Sequence, residues 1–310
     1  MLNRRTYLAL ISLIALLLIA CSTTESVPDE TPTVTVTPDG PVVEETVEPA
    51  TPPEPTATPP PRATITPTAE PETTPESDTE SVSFYLSGFR AINRGEYIEA
   101  ERTFTTVIEI EPEFARGWDG RGQALMLQGK YEEAMLDFDR AIELKPNLSV
   151  AYENRGLTRV AQNDLDGAFR DASRAYEIDD ESVASQLILG RVNANRGDTT
   201  RALEWFDLAI ATDPEDGSTW WWRGRFYRDV LGSGNAALED FNKAIEIAPA
   251  QGALYIDRAL LYVQAGVSPE LARADLEEAI SLAQDPKIPS IIERAEDLLQ
   301  ILDERAEAAQ

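Results

Sequence analysis

Residues 115–148 read ARGWDGRGQALMLQGKYEEAMLDFDRAIELKPNL, and the reading of this stretch decides the fold. Its Gly122, Ala134, Phe138 and Pro146 each stand 34 positions after Gly88, Ala100, Phe104 and Pro112. A chord of small, aromatic and imino residues returning at that interval marks one supersecondary unit copied and stacked, not a single compact core. Within the unit, apolar residues fall in two stretches of helical period, each of about a dozen residues. A short turn containing Gly or Asn joins them, and Pro or Asp closes the pair. Glycine on the first helix lets the second approach opposite a small alanine. An aromatic ring then fills the space between them, and proline blocks continuation of the second helix.

Six copies can be laid in register. The first, 81–114, has Phe84, Gly88, Gly95, Tyr97, Ala100, Phe104 and Pro112. The third, 149–182, keeps Tyr152, Gly156, Ala168 and Ala175 but has Ala172 at the aromatic position and Asp180 at the proline. The fourth, about 183–216, has Gly190, Ala202, Phe206 and Pro214; the fifth has Trp220, Gly224, Ala237, Phe241 and Pro249. The sixth has Tyr255, Ala259, Ala272 and Leu276. The last two are each one residue longer, the fifth in its Gly232-Ser233-Gly234 turn. The pattern resembles the tetratricopeptide repeat family over about two-thirds of the chain. The resemblance implies an all-α fold: a right-handed superhelical solenoid of six helix pairs over 81–286, closed by a capping helix over 287–310. In that last segment Ile291, Ile292, Ala295, Leu298, Leu299 and Leu302 form an apolar stripe, and Ser290 with Glu293 has the spacing of a capping box.

Two columns of the register vary together. The residue before the first-helix glycine, whose place Ala259 takes in repeat six, is Arg121, Arg155, Arg223 and Arg258 in repeats two, three, five and six. Three residues after the second-helix alanine stand Asp137, Asp171, Asp240 and Asp275 in the same repeats. Repeats one and four lack both, with Ser87 and Thr103, and Leu189 and Trp205. The agreement predicts four intra-repeat Arg–Asp bridges that clamp the helices of a pair. A bridge of this kind fixes geometry more reliably than it adds stability.

In the family the pattern resembles, the first helices line a concave groove. Carried over position by position, that groove includes Tyr85 and Phe89 in repeat one, Arg191 in repeat four, and Trp221, Arg225 and Arg228 in repeat five. The lysine and asparagine that hold acidic C-termini in some relatives are absent, since Tyr85 and Phe89 occupy those positions. Trp221, Arg225 and Arg228 recur at i, i+4 and i+7 and so share one helical face. Aromatic and guanidinium groups on an acidic protein suit a carboxylate or an extended ligand. These residues are the expected partner site.

The sequence before the array is of another kind. Arg4 and Arg5 precede an apolar run, Leu8 to Ala20, that ends at Cys21, the sole cysteine. The run is too short to cross a bilayer and has the layout of a secretory signal peptide over 1–20. Leu18-Ile19-Ala20-Cys21 resembles the lipobox of bacterial lipoproteins. That resemblance implies a diacylglyceryl group on the Cys21 sulfur, cleavage before it and acylation of the new N-terminus, such as by palmitate. Two or three chains anchor a protein firmly, where one is marginal. From 22 to 80 follow 14 of the 21 prolines, 13 acids and one base, with no aromatic residue. Such a segment cannot bury enough apolar surface to fold, so 21–80 is expected to be a lipidated cysteine and a disordered stalk.

Composition bounds the chemistry. The formal charge is −28 at pH 7, with 55 acids against 27 bases, and an acidic surface of this size repels nucleic acid. There is no histidine, which removes His-based triads and His-ligated metals. A lone cysteine builds no intrachain disulfide and no Cys-rich zinc site. No catalytic residue, cofactor or metal is expected. The function these features imply is an extracytoplasmic adaptor or scaffold, lipid-anchored to the cell membrane or outer membrane, that binds a protein or peptide partner. The alternative is a structural envelope protein that forms homo-oligomers through its array.

Overall fold

The computed structural model describes residues 79–284 and 288–308. The expected leader, Cys21 and nearly all of the expected stalk lie outside them. Thirteen helices and no strand occur among the described residues. Twelve form six antiparallel pairs: α1 (Thr79–Asn93) with α2 (Tyr97–Ile110), α3 (Ala115–Leu127) with α4 (Tyr131–Leu144), α5 (Ser149–Ala161) with α6 (Leu165–Ile178), α7 (Val183–Asn195) with α8 (Thr199–Thr212), α9 (Gly217–Asp229) with α10 (Gly234–Ile247), and α11 (Gly252–Ala265) with α12 (Pro269–Leu282). The thirteenth, α13 (Pro289–Ala308), closes the stack. Each second helix packs between its own partner and the next first helix, whereas neighbouring first helices also touch one another. This is the solenoid of helix pairs implied by the 34-residue period.

The contact inside each pair follows from the chord. The rings of Phe104, Phe138, Phe206 and Phe241 are buried against Gly88, Gly122, Gly190 and Gly224. A methyl group on Gly122 would stand 2.6 Å from the Phe138 ring, closer than carbon atoms pack. Repeat three solves the same problem differently. Its ring is replaced by Ala172, and a methyl on Gly156 would meet nothing nearer than 3.4 Å. Turns use the left-handed region, at Gly129 with φ 77° and at Asn163 with φ 60°, where asparagine takes the role of glycine.

α13 lays Ala295, Leu298 and Leu302 on the Ile256, Ala259, Val263, Ala272, Leu276 and Ala279 surface of repeat six. Arg305 Nη1 donates to the Val263 carbonyl at 2.6 Å and ties the far end down. One expectation needs correction. The helix begins at Pro289, so Ser290 lies inside its first turn and is not the cap. Proline at the first helical position sacrifices no hydrogen bond there, and that sets the boundary.

The glycine contacts predict opposite effects of one substitution. Gly122→Ala, forced into the Phe138 ring, should lower stability by about 1 to 2 kcal/mol even after its helix-propensity gain. Gly156→Ala, whose methyl would make ordinary van der Waals contacts from 3.4 Å outward, should raise stability by up to about 1 kcal/mol. Chemical denaturation of the two variants checks the sign of each.

Candidate functional site

The four expected Arg–Asp pairs lie together in the structure. Each is a two-pronged bridge through Nε and Nη2. Arg121 reaches Asp137 at 2.7 and 2.8 Å, and Arg155 reaches Asp171 at 3.0 and 2.6 Å. Arg223 reaches Asp240 at 2.9 and 2.8 Å, and Arg258 reaches Asp275 at 2.8 and 2.6 Å. The carboxylates are buried, while the arginines stay partly exposed.

The guanidinium has a third prong that sequence reasoning missed. Nη1 crosses to the second helix of the preceding repeat. Arg155 meets Asp139 at 2.6 Å, Arg223 meets Asp207 at 2.7 Å, and Arg258 meets Asn242 at 2.7 Å. The equivalent residue before Arg121 is Thr105, whose hydroxyl donates to the Glu101 carbonyl. Each guanidinium also lies over the aromatic ring three residues earlier, 4.9 Å from Trp118, 5.4 Å from Tyr152, 5.1 Å from Trp220 and 5.8 Å from Tyr255. That ring in turn donates to the carbonyl of the proline ending the previous repeat. The pairs are Trp118 with Pro112 at 2.8 Å, Tyr152 with Pro146 at 3.2 Å, Trp220 with Pro214 at 3.0 Å and Tyr255 with Pro249 at 3.0 Å. One arginine therefore staples two helices of its own repeat and one of its neighbour. Repeat four, without the arginine, keeps the backbone link by a different donor: Gln186 Nε2 to the Asp180 carbonyl at 2.9 Å. Its Leu189 is buried, and its Trp205 meets Tyr176 edge to face.

The groove residues divide into two groups. Tyr85 and Phe89 belong to an aromatic cluster with Phe104 and Phe114, and burial pushes the Tyr85 phenol above its ordinary range. Phe89 is buried and Tyr85 half-buried, so repeat one offers little beyond an apolar edge. Trp221 and Arg228 correct the expectation of an open partner site. Trp221 is buried, with Nε1 donating to Asp257 Oδ2 at 2.8 Å. Arg228 Nη1 holds Asp257 Oδ1 at 2.8 Å, and its Nε holds Asp229 at 2.6 Å. Both are committed to the contact between repeats five and six, because their side chains are long enough to reach the next first helix. Asp257 was the missed residue; its column holds Asn154, Ile188 and Trp222 in other repeats, and no pattern of charge marks it.

Arg191 and Arg225 remain. The Arg191 guanidinium lies 4.1 Å from the Trp222 ring centroid, and Arg225 lies 5.4 Å from the same ring and 5.2 Å from Trp221. Burial, and then the Arg225 charge, push Arg191 down to about 9.

Farther along the same row lie two buried acids. Asp119 accepts from Gln123 Nε2 at 2.9 Å and Asn154 Nδ2 at 2.8 Å; Glu153 accepts from Ser182 Oγ at 2.7 Å. Burial pushes Asp119 up to about 6 and Glu153 up to about 7, against the pull of those hydrogen bonds. Among the described residues, no group of three or more His, Cys, Asp or Glu side chains is placed to hold a metal ion.

Residues 115–148 and 153–217 each match a family model of the tetratricopeptide repeat, and the chain therefore carries tetratricopeptide repeats. No curated protein matched it. Solved structures share the fold. A tetratricopeptide repeat protein from Parabacteroides merdae ATCC 43184 is 20% identical with a TM-score of 0.60, over 74% of this chain and 86% of that one. TTC0263, a thermophilic repeat protein of Thermus thermophilus, is 19% identical with a TM-score of 0.55, over 60% and 99%. The Cut9–Hcn1 hetero-tetramer of the APC/C gives 20% identity and a TM-score of 0.58 over 71% of this chain. The match spans 43% of that last chain, under half its length.

The two acids set a pH dependence. Their folded values lie above their ordinary ones, so the folded chain holds protons that the unfolded chain has released. The stability they confer is present at pH 4 and is lost as pH rises through about 6 and 7. The loss by pH 8 is on the order of 3 kcal/mol for each carboxylate. Melting curves at pH 5 and pH 8 should converge in an Asp119→Asn, Glu153→Gln variant and stay apart in the parent.

Proposed function

We propose that the chain is a lipid-anchored extracytoplasmic scaffold, its array binding a protein or peptide partner along the row of first helices. The observation that carries this reading is the structure of that row. Neighbouring first helices touch along its length, and it offers side chains at one face of each helix while the staples hold the second helices behind it. Stacked units of this kind present extended binding surfaces. The anchor rests on the sequence of the first 21 residues, where the sole cysteine follows a charged start and an apolar run. The acidic, proline-rich segment after it would act as a spacer between membrane and array.

The test has two arms. A photo-reactive amino acid at Leu260, half-buried on α11, should cross-link a different protein in the native cell. The same probe at Leu136, 70% exposed on the second helix of repeat two, should not. Cross-links from Leu260 to further copies of this chain alone would favour the self-associating structural protein. In parallel, Cys21→Ser should abolish incorporation of an alkyne-bearing fatty acid and move the protein out of the membrane fraction. Retention of both label and membrane association would refute the anchor.

A further inference from the structure

Resting on the lipid anchor proposed above, we infer that the turns of repeats five and six form a second contact with the membrane, their apolar tips entering the lipid interface. In a stack of like helix pairs, the turns inside the pairs follow one another along one edge. Repeats one to four put charge there: Arg94 and Glu96, Lys130 and Glu132, Asp164 and Asp166, Arg196 and Asp198. Repeats five and six do not. Residues 230–238 and 259–269 carry no charged side chain, in a chain that is 26% charged. Both repeats are also one residue longer between the small residue of the first helix, Gly224 or Ala259, and the alanine of the second, Ala237 or Ala272. At these turns stand Val230, Leu231, Val267 and Leu271, each between 42% and 53% exposed. Asp229 and Glu270 flank them, and Asp229 is held by Arg228. The fold does not call for aliphatic tips, since polar turns close the other four pairs. The backbone of the tips already has its partners. The amides of Val230 and Leu231 donate to the Phe226 carbonyl at 3.1 and 3.2 Å, Ser233 to the Tyr227 carbonyl at 2.8 Å, and Val267 to the Tyr262 carbonyl at 3.2 Å. Entry into lipid therefore strands none of these donors.

Exposed apolar patches mark contacts with proteins or membranes. Size favours lipid here. Four half-exposed side chains fall well short of the roughly 800 Å² per partner that a specific protein interface takes. A bilayer makes no such demand, because binding to it grows with each apolar group buried. The tether supplies the remainder. Residues 22–78, read from their composition as a flexible coil with Cys21 at the far end, span on the order of 40 Å. An anchored array thus meets the surface at high effective concentration. Charge decides which part can touch. A chain of net charge −28 is repelled by anionic surfaces, whereas the uncharged edge desolvates cheaply on a zwitterionic one.

The test uses the lipidated full chain on phosphatidylcholine vesicles, with a fluorophore on Ala265→Cys, exposed beside Val267. Cys21 is the sole native cysteine and carries the lipid on the reading above, so the introduced thiol alone reacts. Spin-labelled phosphatidylcholine should quench this fluorophore at least threefold more than one on Leu136→Cys, exposed on a second helix. Leu231→Asn with Val267→Asn should remove that excess and leave the melting temperature unchanged, since both side chains face solvent. Equal quenching at the two sites, or an excess that survives the double variant, overturns the proposal. So does self-quenching that grows with surface density in vesicles free of spin label, which would assign the edge to a second copy. Flotation is read in the same samples. A chain that floats with the vesicles but shows no excess quenching refutes the edge contact alone. One that fails to float refutes the anchor, and the edge contact with it.

Discussion

The array depends on a guanidinium placed one residue before the glycine of the first helix. From that place it grips the aspartate of the opposite helix with two nitrogens and the preceding repeat with the third. The glycine–phenylalanine contact brings the helices of one pair together, and in repeat one the Phe104 ring also presses on Gly120 of the next repeat. In a stacked protein, stability is the sum of what each unit holds internally and what each interface adds. The arginine serves both at once, and the aromatic ring beneath it extends the link to the proline carbonyl between repeats. Repeat four shows that the position admits another solution. Leu189 and Trp205 substitute apolar packing for the salt bridge, an exchange of a kind that is often neutral in energy.

Against this background of paired charge, the row of first helices stands out for charges left unsettled. Among the described residues no cation bonds the oxygens of Asp119 or Glu153, and Arg225 Nε and Nη1 find no hydrogen-bond acceptor, the Asp229 carboxylate standing 3.7 Å from Nε. The acids lie in repeats two and three and the bases in repeats four and five. Groups in this condition weaken the free protein, and they are the groups a ligand can satisfy.

The repeat unit was legible because its determinants are steric and local. Gly122 against Phe138 and Pro146 after α4 read the same in any copy, so helix pairs and their order follow from the period. The Arg–Asp bridges were legible because Leu189 and Trp205 change together where Arg and Asp do elsewhere. The third prong was not, because Asp139, Asp207 and Asn242 differ in chemistry and sit one repeat away. Trp221 and Arg228 were placed on the correct face but at the wrong depth. Register gives the direction of a side chain, while its burial depends on what the next repeat supplies, here the single carboxylate of Asp257. Trp222 stood unmarked for the same reason, since its platform role exists only once Arg191 from the preceding repeat lies over it.

A double-mutant cycle at Arg223 and Asp240 in the full chain tests the central place of the staple most directly. Asp207, the third partner, is half exposed, so freeing it costs little and the cycle isolates the buried arm. The account predicts that Arg223→Met lowers the unfolding free energy by about 3 kcal/mol, because it strands the buried Asp240 carboxylate, and that Asp240→Leu costs less, because Arg223 keeps Asp207. The double variant should lose less than either single one, as the apolar pair of repeat four implies. Losses that simply add, within about 0.5 kcal/mol, would show that the two side chains act independently and would contradict the account.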